Sequence, residues 1–350
     1  MKQKDTELVK QAKKAVFEYL YKIPFLKFSE PSLETRYTYA DFIIKTRVDD
    51  KPWNLICCIG ANGQPLNIRN VANQVIRYKE QWKNVYVIFI APYISEKGAA
   101  ICKEEGFGYV DFSGNGLVSF ENVYIEQHGQ PNQQLIKRDL RTLYSPKAER
   151  VLRTILNSPE KAWLVKALAT EATVSIGLVS NIKKLLTERE WLVPGDELKL
   201  KSPGEVLKAW ANNYDYRKND IQQYYSLASV SETEAIIASA CQSYKVNYAF
   251  TGFSGAARFA PMVTYNRVMV YAEKKFEDYL VSCGLKKVES GANVMVYYPY
   301  DEGVFLGAKQ IDNTNVVSPV QLYLDLIGYK GRGEEAAQAI WERILKFNVD

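Results

Sequence analysis

The chain has 350 residues, 47% of them hydrophobic and 24% charged, with a formal net charge of +5. This predicts an ordinary soluble globular protein of two or three domains, and the mild charge permits nucleic-acid binding without the excess of a histone-like protein. No apolar run is long enough to span a bilayer, and the opening MKQKDTELVKQAKK lacks the apolar core of a signal peptide, so a cytoplasmic protein without membrane contact is expected. The five cysteines (Cys57, Cys58, Cys102, Cys241, Cys283) show no C-x-x-C spacing and read as buried, reduced thiols. The single histidine, His128, excludes any two-histidine metal site and reads as a solvated loop residue.

Residues 1–135 alternate helix and strand patterns. An amphipathic helix (Leu8, Ala12, Val16, Leu20) leads to strands around Tyr39–Val48 and Trp53–Ile59. A helix from about Ile68 to Trp82, the buried strand VYVIFIA, the helix ISEKGAAICKEEG and the strand FGYVDF follow, which predicts an α/β sandwich with a mixed sheet. Asp111, Ser113, Asn115 and Gly116 of GYVDFSGNG read as a strand ending in a turn. The order of elements resembles the restriction-endonuclease-like superfamily, whose members hold Mg²⁺ with an Asp on one strand and a Glu-x-Lys on the next. Asp41 matches the first acid, but Cys58 and Gly60 stand where the Glu and Lys belong; Gln74 and Tyr78 match a Gln-h-x-x-Tyr helix motif found in some members. One carboxylate and no lysine cannot hold a hard cation, so the expectation is a degenerate nuclease site with no metal, no cofactor and no catalytic residue.

The polar stretch EQHGQPNQQ reads as a linker, and residues 136–201 as a winged helix-turn-helix. KAERVLRTIL places Val151, Leu152, Ile155 and Leu156 on one helix face, and Ser158-Pro159 breaks it. A second helix carries Leu164, Val165, Ala167, Leu168 and Ala169. Ser175 then N-caps a third helix, to about Glu190, with Ile176, Val179, Ile182, Leu185 and Leu186 on its apolar side. WLV-PGD-ELKLK reads as the wing hairpin. From Pro146 to Lys201 there are ten Lys or Arg and seven Asp or Glu, and Lys137, Arg138 and Arg141 lie just upstream. The residues expected at DNA are Ser175, Gly177, Ser180, Asn181 and Lys184 for base edges or nearby backbone, with Lys183, Lys199 and Lys201 on phosphates. A protein-interaction module is the structural alternative.

Residues 202–350 read as helices through Ser243, strands near Val268–Ala272 and Val294–Tyr298, and a last helix from about Gly333 to Lys346. TGFSGAAR (Thr251 to Arg258) resembles the phosphate-binding loop of nucleotidyltransferases, but NRVMVYA brings no carboxylate, so a tight turn against a helix is expected. Tyrosine-rich stretches, NNYDYRKNDIQQYY and YYPYDEG, suggest an exposed contact surface. On this reading residues 1–201 bind DNA alone and 202–350 supply a separate activity.

Six blocks together resemble the AbiEi family of antitoxins from type IV toxin–antitoxin systems. They are NGQP (Asn62 to Pro65), GYVDFSGN, VSIGLVSNIKKL (Val174 to Leu185), TGFSGAARFAP, SGANV (Ser290 to Val294) and SPVQLYLDL (Ser318 to Leu326). The resemblance implies a regulator that represses its own operon by binding double-stranded operator DNA. Its functional partner would be a nucleotidyltransferase-like toxin, with no direct contact implied. A metal-dependent nuclease or a nucleotidyltransferase-like enzyme with a degenerate site is the alternative.

Overall fold

A computed structural model describes residues 6–32, 39–131, 143–259, 265–329 and 331–347, apart from the side chains of residues 6 and 76–81. Lys137, Arg138 and Arg141, and the Tyr78 side chain, lie outside the described residues. The chain divides into two compact units: Met1–Arg141 with Thr187–Glu190, and Thr142–Leu186 with Trp191–Asp350. Both are mixed α/β structures, each built on one sheet.

The first unit holds α1 (Thr6–Leu20), α2 (Pro65–Gln81) and α3 (Glu96–Glu104) around a sheet in the order β1 (Phe42–Val48), β2 (Lys51–Ile59), β3 (Val85–Ala91), β4 (Gly108–Asp111), β5 (Gly116–Phe120), β6 (Val123–Gln127). The pairs β2–β3 and β3–β4 are parallel and the remaining pairs antiparallel. Side chains alternate across the sheet, as the two-residue strand period requires. Ile44, Leu55, Cys57, Ile88 and Ile90 share one core with Ala12, Val16 and Leu20 of α1. Ile43, Ile56, Cys58, Val87 and Phe89 share the other with Ile68 and Val75 of α2 and Ile101 of α3. Because both faces are covered, the central strands are continuous hydrophobic runs.

The second unit begins with α4 (Pro146–Asn157), α5 (Val165–Glu171) and all but the last two residues of α6 (Ile176–Glu188), then α7 (Pro203–Ala211). Its sheet runs β10 (Lys286–Lys287), β7 (Asp220–Tyr225), β11 (Val294–Tyr298), β9 (Val268–Ala272), β8 (Tyr248–Phe250), β13 (Thr314–Val316), β12 (Lys309–Ile311). One core joins this sheet to Ile237 and Cys241 of α8 (Val230–Ser243), which starts with a reciprocal capping box between Ser229 and Glu232. After β8 comes α9 (Gly252–Phe259); α10 (Pro319–Ile327) and α11 (Arg332–Ile340) close the fold, the latter running into a π-helical turn, Trp341–Leu345. Every residue of α10 from Pro319 to Leu326 is buried, so its polar members, Gln321 and Asp325, must find partners inside.

They do, and the partners include side chains of α4. Asp325 Oδ1 accepts from Tyr214 OH (2.7 Å), Tyr271 OH (3.0 Å) and Gln321 Nε2 (2.9 Å), and its Oδ2 accepts from Thr251 Oγ1 (2.5 Å). Gln321 Oε1 takes the Nε–H of Arg153, and Tyr300 OH donates to Glu149, one turn earlier on α4. At the surface end of the same helix Arg150 makes a two-pronged pair with Asp301, at 2.7 and 3.0 Å.

This network corrects the tyrosine reading. Tyr224, Tyr297 and Tyr298 are buried and the Tyr214 hydroxyl is spent on Asp325, so most of these rings form an internal cluster; of the two stretches, Tyr225 alone is an exposed large hydrophobic among the described residues. The division at residue 201 is also affected. Cutting there would strip Arg153, Glu149 and Arg150 of Gln321, Tyr300 and Asp301, leaving charges of α4 without their partners.

Candidate nucleic-acid interface

The segment 146–201 folds as three short helices and a terminal hairpin. Its interior collects Val151, Leu152 and Ile155 of α4, Leu168 and Ala169 of α5, and Val179, Ile182, Leu185 and Leu186 of α6, together with Leu192, Leu198 and Leu200. Bridges Trp163↔Leu198 and Leu192↔Leu200 hold the hairpin, and Gly195 turns it with φ +152°. The α5–α6 turn is tight: Val174 N–H reaches Ala169 O at 2.9 Å across Thr173, a β-branched residue at φ +54°. Ser175 Oγ accepts from Leu178 N–H at 3.3 Å, which caps α6 as its position predicted.

The buried face of α6 fixes what the opposite face presents. Ser175, Gly177, Ser180, Asn181 and Lys184 are all exposed, in the spacing of one helical face. Lys199 and Lys201 are exposed on the hairpin. Lys183 is half-buried, and its ammonium donates to the Asp196 carbonyl, bracing α6 against the hairpin turn. Gly177 has open space where a Cβ would stand, so packing within the chain does not ask for glycine there.

Three residues assigned to the apolar side are outside it: Ile176 is 53% exposed, Leu164 is 60% exposed, and Ala167 is exposed. Each stands at or near a helix start, where the first turn has not yet entered the core. Ile176, beside Gly177, joins the exposed face and was missed because an isoleucine in a periodic run reads as core. Lys166 and Thr170, exposed on α5, were also missed; nothing in their local pattern separates them from ordinary solvated residues.

The nuclease-like positions all lie in the first unit. Asp41 Oδ2 accepts the Ile59 N–H at 2.6 Å, which ties the start of β1 to the end of β2. Cys58 is buried with its thiol 3.7 Å from the Tyr39 carbonyl. At Gly60 a Cβ would lie 2.3 Å from Cζ of Phe89, so the ring occupies the space from which a lysine side chain would leave. Gln74 is exposed on α2. Among the described residues no three His, Cys, Asp or Glu side chains are grouped to hold a metal ion.

Asp111 belongs to a turn. Its Oδ1 accepts from the N–H groups of Ser113 and Asn115, both at 2.9 Å, and its Oδ2 from Asn115 Nδ2, also at 2.9 Å. Gly114 sits at φ +97° between them. Burial raises the Asp111 carboxyl above its ordinary range while these hydrogen bonds pull it down. The TGFSG segment is the start of α9 in place of the expected tight turn: Ser254 is fully buried, its hydroxyl accepting from Met269 N–H at 3.0 Å.

Against known proteins, residues 199–346 match the family described as transcriptional regulator, AbiEi antitoxin, type IV TA system. That stretch resembles the AbiEi antitoxins. It runs from the end of the hairpin through the second sheet to the π-helical turn, less than half of the chain. No curated protein matches. Among solved structures, that of a repair endonuclease from Pyrococcus abyssi matches over 32% of this chain and 48% of its own, at 13% identity and a TM-score of 0.22. The chain thus spans about half the length of that protein, and a score so low carries no weight for the fold. No described helix is long and apolar enough to cross a membrane.

Proposed function

We propose that the chain is a sequence-specific DNA-binding regulator, the autorepressing antitoxin of a type IV toxin–antitoxin system. Segment 146–201 acts as a winged helix-turn-helix, with α6 as the reading helix and the hairpin as the wing. One observation carries this: apart from Ile176 the outward face of α6 is small, polar and cationic, and among the described residues none lies within 4 Å of where a Cβ on Gly177 would stand. A major groove admits such a face. Asn181 is the adenine reader, since an amide pairs bidentately with N6 and N7, and Ile176 is placed for a thymine methyl group. Lys184, Lys199 and Lys201 neutralise phosphates, while Ser175 and Ser180 contact backbone or base edges. Lys183 serves by holding the wing to the helix.

The match of residues 199–346 to a family of antitoxin regulators supports the wider role. On this reading the chain is cytoplasmic and counters a nucleotidyltransferase-like toxin without having to bind it. It is not an enzyme. The first unit is a restriction-endonuclease-like scaffold whose lysine position is filled by the Phe89 ring.

Fluorescence anisotropy with DNA from upstream of the gene tests the assignment. Asn181→Ala should relax preference at one base pair, costing roughly 1–3 kcal/mol at that site. Lys184→Ala should weaken binding to all sequences and reduce the salt slope by about one. Unchanged affinity and slope in both variants would remove α6 from the interface. For the antitoxin role, the full chain should restore growth to cells expressing the co-encoded toxin.

A further inference from the structure

The second unit has a cleft of about 310 Å³ on the side of the sheet where β8 gives way to α9. Phe253, Tyr265, Arg267, Met269, Tyr329 and Arg332 line it, with the Asn266 amide at its edge. Two glycines build it by close approach. Gly252 opens α9 at φ +52°, and a Cβ there would lie 2.4 Å from Sδ of Met269, the apolar floor. Gly333 lets α11 close onto the end of α10; its Cβ would lie 2.4 Å from Cβ of Tyr329, and this contact sets Arg332 beside that ring. The Tyr329 ring is held from behind. Tyr216 stacks on it at 4.4 Å and 15°, the Tyr329 hydroxyl bonds that of Tyr297, and Phe253 stands 6.2 Å away at 55°.

The chemistry of this lining is selective. Arg267 and Arg332 come from different elements, the approach to β9 and the first turn of α11, and both are exposed. The lining combines these two cationic side chains with the aromatic rings of Phe253, Tyr265 and Tyr329. Two guanidinium groups beside rigidly mounted aromatic rings suit a ligand that is both anionic and planar. We propose that the cleft binds a nucleoside phosphate, with the base against Tyr329 and Phe253 and the phosphate groups on Arg267 and Arg332. Asn266 offers an amide to the edge of the base. The site is independent of the α6 face and stands whether or not α6 reads DNA.

Isothermal titration calorimetry on the full chain decides it, with ATP, GTP, CTP and UTP as probes and adenosine, inorganic phosphate and tripolyphosphate as separate arms. At least one nucleotide should bind more tightly than adenosine and tripolyphosphate, because both halves of the ligand contribute. Arg267→Ala/Arg332→Ala should weaken that nucleotide at least roughly tenfold, since two charge-assisted contacts are lost. Both side chains are exposed; thermal unfolding of the variant checks that the fold is kept, and a second variant, Arg267→Gln/Arg332→Gln, controls for charge alone. The proposal fails if no nucleotide gives heat, if tripolyphosphate binds as tightly as the nucleotides, or if the arginine variants bind unchanged. It fails too if the wild type binds no nucleotide and the double variant instead loses operator DNA, since the arginines then serve the DNA backbone.

Discussion

Arg153 on α4 donates its Nε–H to Oε1 of Gln321 on α10 at 2.6 Å, across 168 positions of sequence, with both side chains buried. The guanidinium also lies 5.0 Å over the Trp210 ring and 3.7 Å from Glu149, while its Nη1 has no hydrogen-bond partner among the described residues. An ion so placed is stable only while its acceptors stay in register. Gln321→Leu should therefore cost about 2–3 kcal/mol in urea unfolding, because it leaves Arg153 without its best acceptor and Asp325 with one donor fewer. Arg153→Leu combined with Gln321→Leu should cost less than the two single changes added together. Strict additivity would show that the two side chains do not interact.

Stability should also depend on pH through the same network. Burial holds the carboxyls of Glu149 and Asp325 above their ordinary range; Arg153 and Tyr300 oppose it at Glu149, and four hydrogen bonds oppose it at Asp325. A carboxyl raised on folding binds its proton more tightly in the folded chain. Its contribution is present below the unfolded value, 3.8 for Asp325, and is lost as the pH rises through the higher folded value. Surface groups with the opposite shift, the half-buried Glu273 and the exposed Asp220 among them, act in the other direction, so the comparison must be with a variant. Wild type should gain on Asp325→Asn as the pH falls from about 7 to 4. A difference that is flat or widens toward high pH contradicts the raised value.

Gly177 offers a separate readout of fold and function. Alanine fits there without contact and is the better helix former, so Gly177→Ala should leave stability unchanged or raise it by up to about 1 kcal/mol. Affinity for operator DNA should nevertheless fall roughly tenfold, as a methyl group stands off the groove. A variant that is more stable and binds equally well would mean that nothing approaches this face closely.

Restoring the nuclease motif should fail. Cys58→Glu with Gly60→Lys puts a chain into the space of the Phe89 ring, 2.3 Å from the Gly60 Cβ position, at a cost of about 1–3 kcal/mol from overpacking. Plasmid nicking with Mg²⁺ should stay at background even with Phe89→Ala added to open the space. Metal-dependent cleavage by a variant of wild-type stability would reinstate the enzyme reading.

Apolar patterning made much of this fold legible: α1, α2 and α6 carry apolar residues at 3.6-residue spacing, and the strands around β1 to β4 read as apolar runs. The hairpin β5–β6 was not read, because its Glu121-Asn122 turn, with Glu121 at φ +47°, lacks the Gly that usually marks one. The Asn181 face was legible because its exposure follows from a local pattern. Nothing local reveals that Glu149, Arg150 and Arg153 of α4 turn inward to partners more than 140 residues away; in sequence they read as a solvated helix face. The tyrosines misled for the same reason, since the carboxylate that satisfies Tyr214 and Tyr271 stands on α10.

If 146–201 reads DNA as proposed above, the inward turn of α4 limits how recognition can be exchanged between relatives. A winged segment transplanted whole would bring a foreign first helix against Gln321, Tyr300 and Asp301, and the recipient would inherit three mismatched polar sockets. A change of operator is better made by grafting the outward positions of 175–184 alone, which touch none of those sockets. On the proposed DNA-reading role, recombination at the segment's edges is thus a poor route to new targets, and stepwise substitution on one helix face is the open one.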